Sequence, residues 1–127
     1  QVAPTDLSVS YDSSPTFSGS GETDVIYQEG STGMPAGVLG MAWCNDPENG
    51  TTSLCDQFYI RIRGNGVIDL ITAGHETGHA IGLGHPQWAY PAKLACDGAF
   101  AVMRAAYSCI TGGSFGSLNV ENINWVY

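Results

Sequence analysis

An α+β fold is what this sequence predicts: a twisted mixed β-sheet backed by one long helix, with a second helix near the C-terminal end. Three observations carry it. Across the first sixty residues apolar positions recur with period two in short stretches separated by Gly- and Ser-rich turns. From about Gly66 to Leu83 the spacing becomes that of a helix. Residues 86 to 117 then lack sustained periodicity, and a final helical pattern starts near Ser117 or Asn119. At 127 residues the chain has material for one hydrophobic core, so residues 1–127 are read as a single domain.

Leu7-Ser8-Val9-Ser10-Tyr11 alternates apolar and polar residues and reads as a first strand; Asp24 to Tyr27 reads as a second. Val38-Leu39-Gly40-Met41-Ala42-Trp43 follows a Pro-Ala-Gly turn and gives a third. Phe58-Tyr59-Ile60-Arg61-Ile62-Arg63 gives a fourth, with both arginines on one face. Between the last two, Asn45 to Ser53 is a polar loop with a glycosylation sequon at Asn49, relevant only in a eukaryotic source. In the long helix Ile68, Leu70, Ile71, Ala73 and Ile81 fall on helical spacings, and Asn65 or Asp69 is available as N-cap. Gly74 and Gly78 inside it cost up to ~1 kcal/mol each relative to alanine, which points to a neighbour too close for a side chain. The last helix is expected to dock through Val120, Ile123, Trp125 and Val126.

The composition, 43% hydrophobic and 13% charged, excludes a disordered chain, and no apolar run approaches the ~18 residues of a membrane span. A net charge of -8, with Arg61, Arg63, Lys93 and Arg104 as the only cations, disfavours nucleic acid as a partner. The four cysteines form no CxxC pair, so disulfides are the better reading than a structural metal site or a redox motif. Of three connectivities the local pairs Cys44–Cys55 and Cys96–Cys109 are favoured, because each closes a short loop. Disulfides imply an oxidising compartment and a secreted, extracellular protein, here in its mature form with any signal peptide removed.

All three histidines of the chain lie within His-Glu-Thr-Gly-His-Ala-Ile-Gly-Leu-Gly-His, residues 75 to 85. His75 and His79 stand four apart on the predicted helix, so both imidazoles project from one face toward a single ion. Gly82 sits where the helix must stop, since glycine alone takes the left-handed conformation without steric penalty, and the turn returns His85 to the same ion. Three neutral imidazoles leave a fourth position for water, the open geometry of a catalytic zinc site, and one Zn2+ per chain is expected. Glu76, beside the first ligand, is the candidate general base for a zinc-activated water.

The pattern HExxHxxGxxH with a later methionine resembles the metzincin metallopeptidases. The resemblance implies that Met103, in Ala101-Val102-Met103-Arg104-Ala105, forms a tight turn beneath the ligands, and that the fold is a small zincin domain. It also implies a secreted zinc endopeptidase acting on protein or peptide substrates, expected as a monomer away from membranes. Cysteines bracketing Met103 resemble small neutral proteases of the snapalysin type. Snapalysins, however, place an aspartate where this chain has His85, which is closer to matrixin-like enzymes. Tyr107 is a candidate fifth ligand or oxyanion donor, although it lies four residues after Met103 and family members with such a tyrosine place it two after. Tyr107, Ile110 and Phe115 are candidates for an apolar specificity wall, and the strand around Val38 to Trp43 for the cleft rim, where an extended substrate would add as a further strand.

The resemblance covers roughly residues 36 to 127, because residues 1 to 35 show no helical pattern where metzincins begin with a strand and a long helix. Either those elements have been replaced or strands alone back the active-site helix. The alternatives to a peptidase are a zinc-bound binding module with weak or no turnover, and a hydrolase of non-peptide amides.

Overall fold

A computed structural model of the chain describes residues 4–48, 55–64, 70–105, 107–110 and 112–127, with the main chain alone described at Tyr107. Three strands, β1 (Val25–Glu29), β2 (Gly40–Pro47) and β3 (Cys55–Ile62), precede helix α1 (Leu70–Ala80). Single 3₁₀ turns at Pro86–Trp88, Gly98–Phe100 and Tyr107–Cys109 lead to helix α2 (Ser117–Val126). The strand order is β1-β3-β2. β1 runs parallel to β3, with Val25 opposite Phe58, and β2 runs antiparallel to it, with Gly40 opposite Ile62. The sheet is therefore mixed and the fold α+β.

Alternation along β3 explains its placement. Ile60 and Ile62, two residues apart and both buried, share the face against which α1 packs. Tyr59 and Arg61 take the other face with Trp43 of β2: the Trp43 and Tyr59 rings meet edge-on at 5.6 Å, and the Arg61 guanidinium lies 5.1 Å over Trp43. Gln57, fully buried, donates to the carbonyls of Thr16 and Thr23 and accepts from Asn45, which ties the irregular N-terminal segment to the sheet. Arg63 donates to the Val38 and Pro35 carbonyls and Arg61 to that of Thr32, so the two arginines fasten the loop entering β2.

The main core lies below the C-terminal end of α1, where Leu83, Phe100, Val102, Met103, Phe115 and Ile123 close on one another. Gly78 is the point of tightest approach: a Cβ built there would stand 2.1 Å from Met103 Sδ and 3.2 Å from the Phe115 ring. The sequence expectation of a close neighbour is thus met at Gly78. We expect Gly78→Ala to destabilise the protein by about 1–3 kcal/mol, as overpacking does, which chemical denaturation would read directly.

Three sequence expectations are corrected. Leu7 to Tyr11 forms no strand: it pairs with no strand among the described residues, Val9 and Tyr11 are exposed, and only Leu7 reaches the core. Trp125 and Val126 do not dock α2. The helix turns its Asn119–Ile123 stripe inward, and Trp125, two residues and about 200° round from Ile123, points to solvent at 87% exposure. Leu70 lies in α1 as its helical spacing implied, exposed in the first turn, and the buried positions of the helix are Thr72, Gly74, Glu76 and Gly78. The loop expected from Asn45 starts later, because β2 continues through an irregular register between Cys44 and Pro47. Asn49, Asn65, Ile68 and Asp69 lie outside the described residues.

Both local disulfides are present. Cys44–Cys55 joins β2 to β3 with Cα atoms 5.8 Å apart, and Cys96–Cys109 closes the segment around Met103 at 5.4 Å. Loop closure of this length stabilises by about 3 kcal/mol per bridge. No helix among the described residues is long and apolar enough to cross a membrane.

Candidate metal centre

His75 and His79 share one face of α1, and the way the helix ends delivers His85 to them. Gly82 takes a left-handed φ of +87°, its N–H donates to the His79 carbonyl (3.0 Å), and the Leu83 N–H reaches back to the Gly78 carbonyl (2.8 Å). This pair of bonds is the Schellman stop, which satisfies the last carbonyls while reversing the chain. His85 is then extended, at φ -72° and ψ 158°, ahead of Pro86.

The three Nε2 atoms form a near-equilateral triangle, with separations of 3.2 Å between His75 and His79, 3.1 Å between His75 and His85 and 3.1 Å between His79 and His85. Hydrogen bonds do not account for it. His75 Nδ1 lies 2.7 Å from the Val102 carbonyl and His79 Nδ1 2.9 Å from the Leu83 carbonyl. A carbonyl only accepts, so both Nδ1 atoms carry the proton of the neutral ring, and both Nε2 atoms present bare lone pairs to each other. One proton on His85 cannot relieve two such contacts. A cation at the centre does: four-coordinate zinc at ~2.0–2.1 Å from each nitrogen sets them about 3.3–3.4 Å apart. The residues therefore fit a metal ion, with three histidines on hand.

Burial also favours the neutral form of two of the three imidazoles. Desolvation lowers the pKa of His79, the His75 charge adding to it against the opposing bond to Leu83, and lowers that of His85 to about 4, helped by His79 and His75. Proton competition for these two nitrogens is thus weak near neutrality. On its outer side His85 stacks against Trp88, ring centroids 4.7 Å apart and planes at 25°. Gly84 makes room, since a Cβ there would stand 3.1 Å from the indole.

Met103 is fully buried in a tight turn in which its N–H bonds the Phe100 carbonyl (2.8 Å) and the Arg104 N–H that of Ala101 (3.3 Å). It packs against Gly78, and its neighbour Val102 holds His75, so this turn supports the triad from below.

Glu76 is buried, at 8% exposure, against strand β2. Desolvation raises its carboxyl pKa to about 7, opposed by a hydrogen bond from the Ala42 N–H. Gly40 allows this: a Cβ there would lie 2.5 Å from Thr72 Cγ2, 2.8 Å from Glu76 Cγ and 2.9 Å from Glu76 Oε1. A glycine inside a strand pattern can signal such an approach, but the sequence reading took Gly40 only as part of a strand and missed this contact. Gly40→Ala is expected to displace Glu76 and lower any hydrolytic kcat/KM about ten- to hundredfold while bound metal stays the same, a split read by kinetics beside elemental analysis.

Glu76 and His75 border a cavity of about 200 Å³ whose other walls include Leu39, Gly40, Ile71, Arg104 and Ile110. Of the expected apolar wall, Ile110 is in place. Phe115 is not, because its ring is buried in the core beside Gly78 and Met103. The side chain of Tyr107 lies outside the described set, and its fifth-ligand or oxyanion role with it. A wider groove of about 920 Å³ borders His79 and His85 on the far side, between Trp88 and α2. The Val102 and Leu83 carbonyls and Trp88 took no part in the sequence reading, since long-range folding alone places them; Arg104 entered it as a cation and as the start of the segment that the resemblance makes a pocket lining. Compared with known protein families, characterised proteins and solved structures, the chain matches none.

Proposed function

We propose that this chain is a secreted, monomeric zinc-dependent endopeptidase of the metzincin kind. The observation that carries the reading is the triangle of bare Nε2 lone pairs beside a buried glutamate of raised pKa at the edge of a cavity. Zinc is favoured over other divalent ions because three neutral imidazoles with a free fourth position suit its tetrahedral preference. Two disulfides support an oxidising compartment.

His75, His79 and His85 would hold the ion, which when bound supplies Lewis acidity toward a carbonyl oxygen and toward water. The chain's own residues do the rest. The Val102 and Leu83 carbonyls fix the tautomers of two ligands, and the Met103 turn sets their height. Glu76 removes a proton from the attacking water and returns it to the departing nitrogen, and its place on the cavity wall beside His75 suits it to both transfers. Water is admitted through the cavity, while burial of Glu76 against β2 keeps its carboxylate from drifting. Among the described residues no strand pairs with the outer edge of β2 in the β1-β3-β2 order, and Leu39 and Gly40 lie on the cavity, so an extended peptide adding to that edge would pass Glu76. Openings on both sides of the triad suit a chain that continues past the scissile bond in both directions.

A second reading, a zinc-bound module with weak or no turnover, is favoured by the small three-stranded sheet and the absence of a helix before α1 among the described residues. Digestion of an unfolded protein such as casein by zinc-loaded enzyme, with and without chelator, separates the two. Chelator-sensitive cleavage supports the peptidase; one bound zinc with no cleavage supports the module.

A further inference from the structure

The cavity beside Glu76 carries a charge that an apolar specificity pocket does not need. Arg104 is part of its wall, among Leu39, Ile71, Ala105 and Ile110. The chain has four cationic side chains against twelve acidic ones. Among the described residues Arg104, like Arg61 and Arg63, bonds only neutral groups: Nε donates to the Asp97 carbonyl (3.1 Å) and Nη1 to the Cys109 carbonyl. The Asp97 carboxylate is turned away, accepting from the Ala99 N–H. Two of five N–H donors are accounted for, and among the described residues no carboxylate neutralises the charge at the edge of this apolar wall, where a charge-assisted bond is stronger than in water.

The side of the scissile bond follows from Glu76. The glutamate that protonates the leaving nitrogen lies next to the residue supplying that nitrogen, and Glu76 borders this cavity. Resting on the peptidase reading above, we propose that Arg104 selects substrates with a carboxylate on the residue that follows the cleaved bond. Ile71 and Ile110 receive the aliphatic stem and the guanidinium receives the acid. The carboxylate comes from an Asp or Glu side chain or from a free chain terminus.

The test uses zinc-loaded Glu76→Gln protein, so that peptides bind without being cut, and wild-type protein for cleavage. Three amide-capped peptides differ only in the residue after the scissile bond, Glu, Gln or Leu; a fourth is the Leu peptide ending there in a free carboxylate. Calorimetry on Glu76→Gln is expected to give about ten- to hundredfold tighter binding of a carboxylate peptide than of its neutral counterpart. Preference for the Glu peptide over Gln identifies a side-chain acid, and preference for the free-terminus peptide over its amide identifies a chain end. The ratio should shrink in high salt, approach one in Glu76→Gln/Arg104→Met and persist in part in Glu76→Gln/Arg104→Lys. Because each ratio compares peptides on one preparation, partial misfolding of a variant cancels. Neutral peptides binding as tightly as acidic ones, no measurable binding of any peptide, or a preference unchanged in both arginine variants overturns the proposal. Acid-selective binding without cleavage by the wild type instead overturns the peptidase reading and leaves the pocket assignment standing.

Discussion

Glu76→Gln is expected to lower kcat/KM for peptide hydrolysis by about a thousandfold or more while one zinc per chain is retained, since loss of a positioned general acid–base costs 10²–10⁴ and two proton transfers depend on this group. Glutamine has the same shape and keeps an oxygen to accept from the Ala42 N–H, so the contact with Gly40 and Thr72 is preserved. Steady-state kinetics on a fluorogenic peptide, with zinc content measured on the same preparation, checks both halves. Activity within tenfold of wild type would remove Glu76 from the mechanism.

His79→Ala carries the second large effect. Two imidazoles would be left, and zinc affinity is expected to fall about a hundred- to thousandfold, with activity lost at substoichiometric zinc. The fold feels the loss as well, because wild-type protein at zinc a hundred times its Kd gains about 2.7 kcal/mol from binding and the variant gains almost none. Thermal unfolding with and without added zinc gives the comparison: a clear upward shift in wild type and a negligible one in His79→Ala. Without metal the substitution should itself cost little, since His79 is only half-buried and its Nδ1 bond goes to the nearby Leu83 carbonyl.

The ligand set was legible because its geometry is local. Helical spacing puts His75 and His79 on one face, and Gly82 announces the stop that brings back His85; these facts lie within eleven residues. The local cysteine pairs were legible for the same reason. Gly78 announced a close approach, although not that Met103 fills the space, and the approach of Glu76 to Gly40 was missed, since both partners arrive only once the chain has folded. Period-two alternation located β1, β2 and β3 but misread Leu7 to Tyr11, because alternation describes a chain able to pair and says nothing of whether a partner is there. Apolar content misled in α2 for a related reason. Trp125 is large and hydrophobic, yet the inward stripe is set by Asn119 and Ile123, and the indole falls on the opposite side. The support beneath the site, Val102 and Leu83 carbonyls and the Arg104 wall, depends on tertiary placement that no spacing rule encodes.

An open three-histidine zinc site is tested most directly by X-ray absorption at the zinc edge on protein titrated with one equivalent of the ion. Tight 1:1 binding is expected, with three imidazole nitrogens at about 2.0–2.1 Å, one further oxygen ligand and no sulfur bound to the ion. Failure to bind zinc at micromolar concentration, or a shell without three imidazoles, would contradict it.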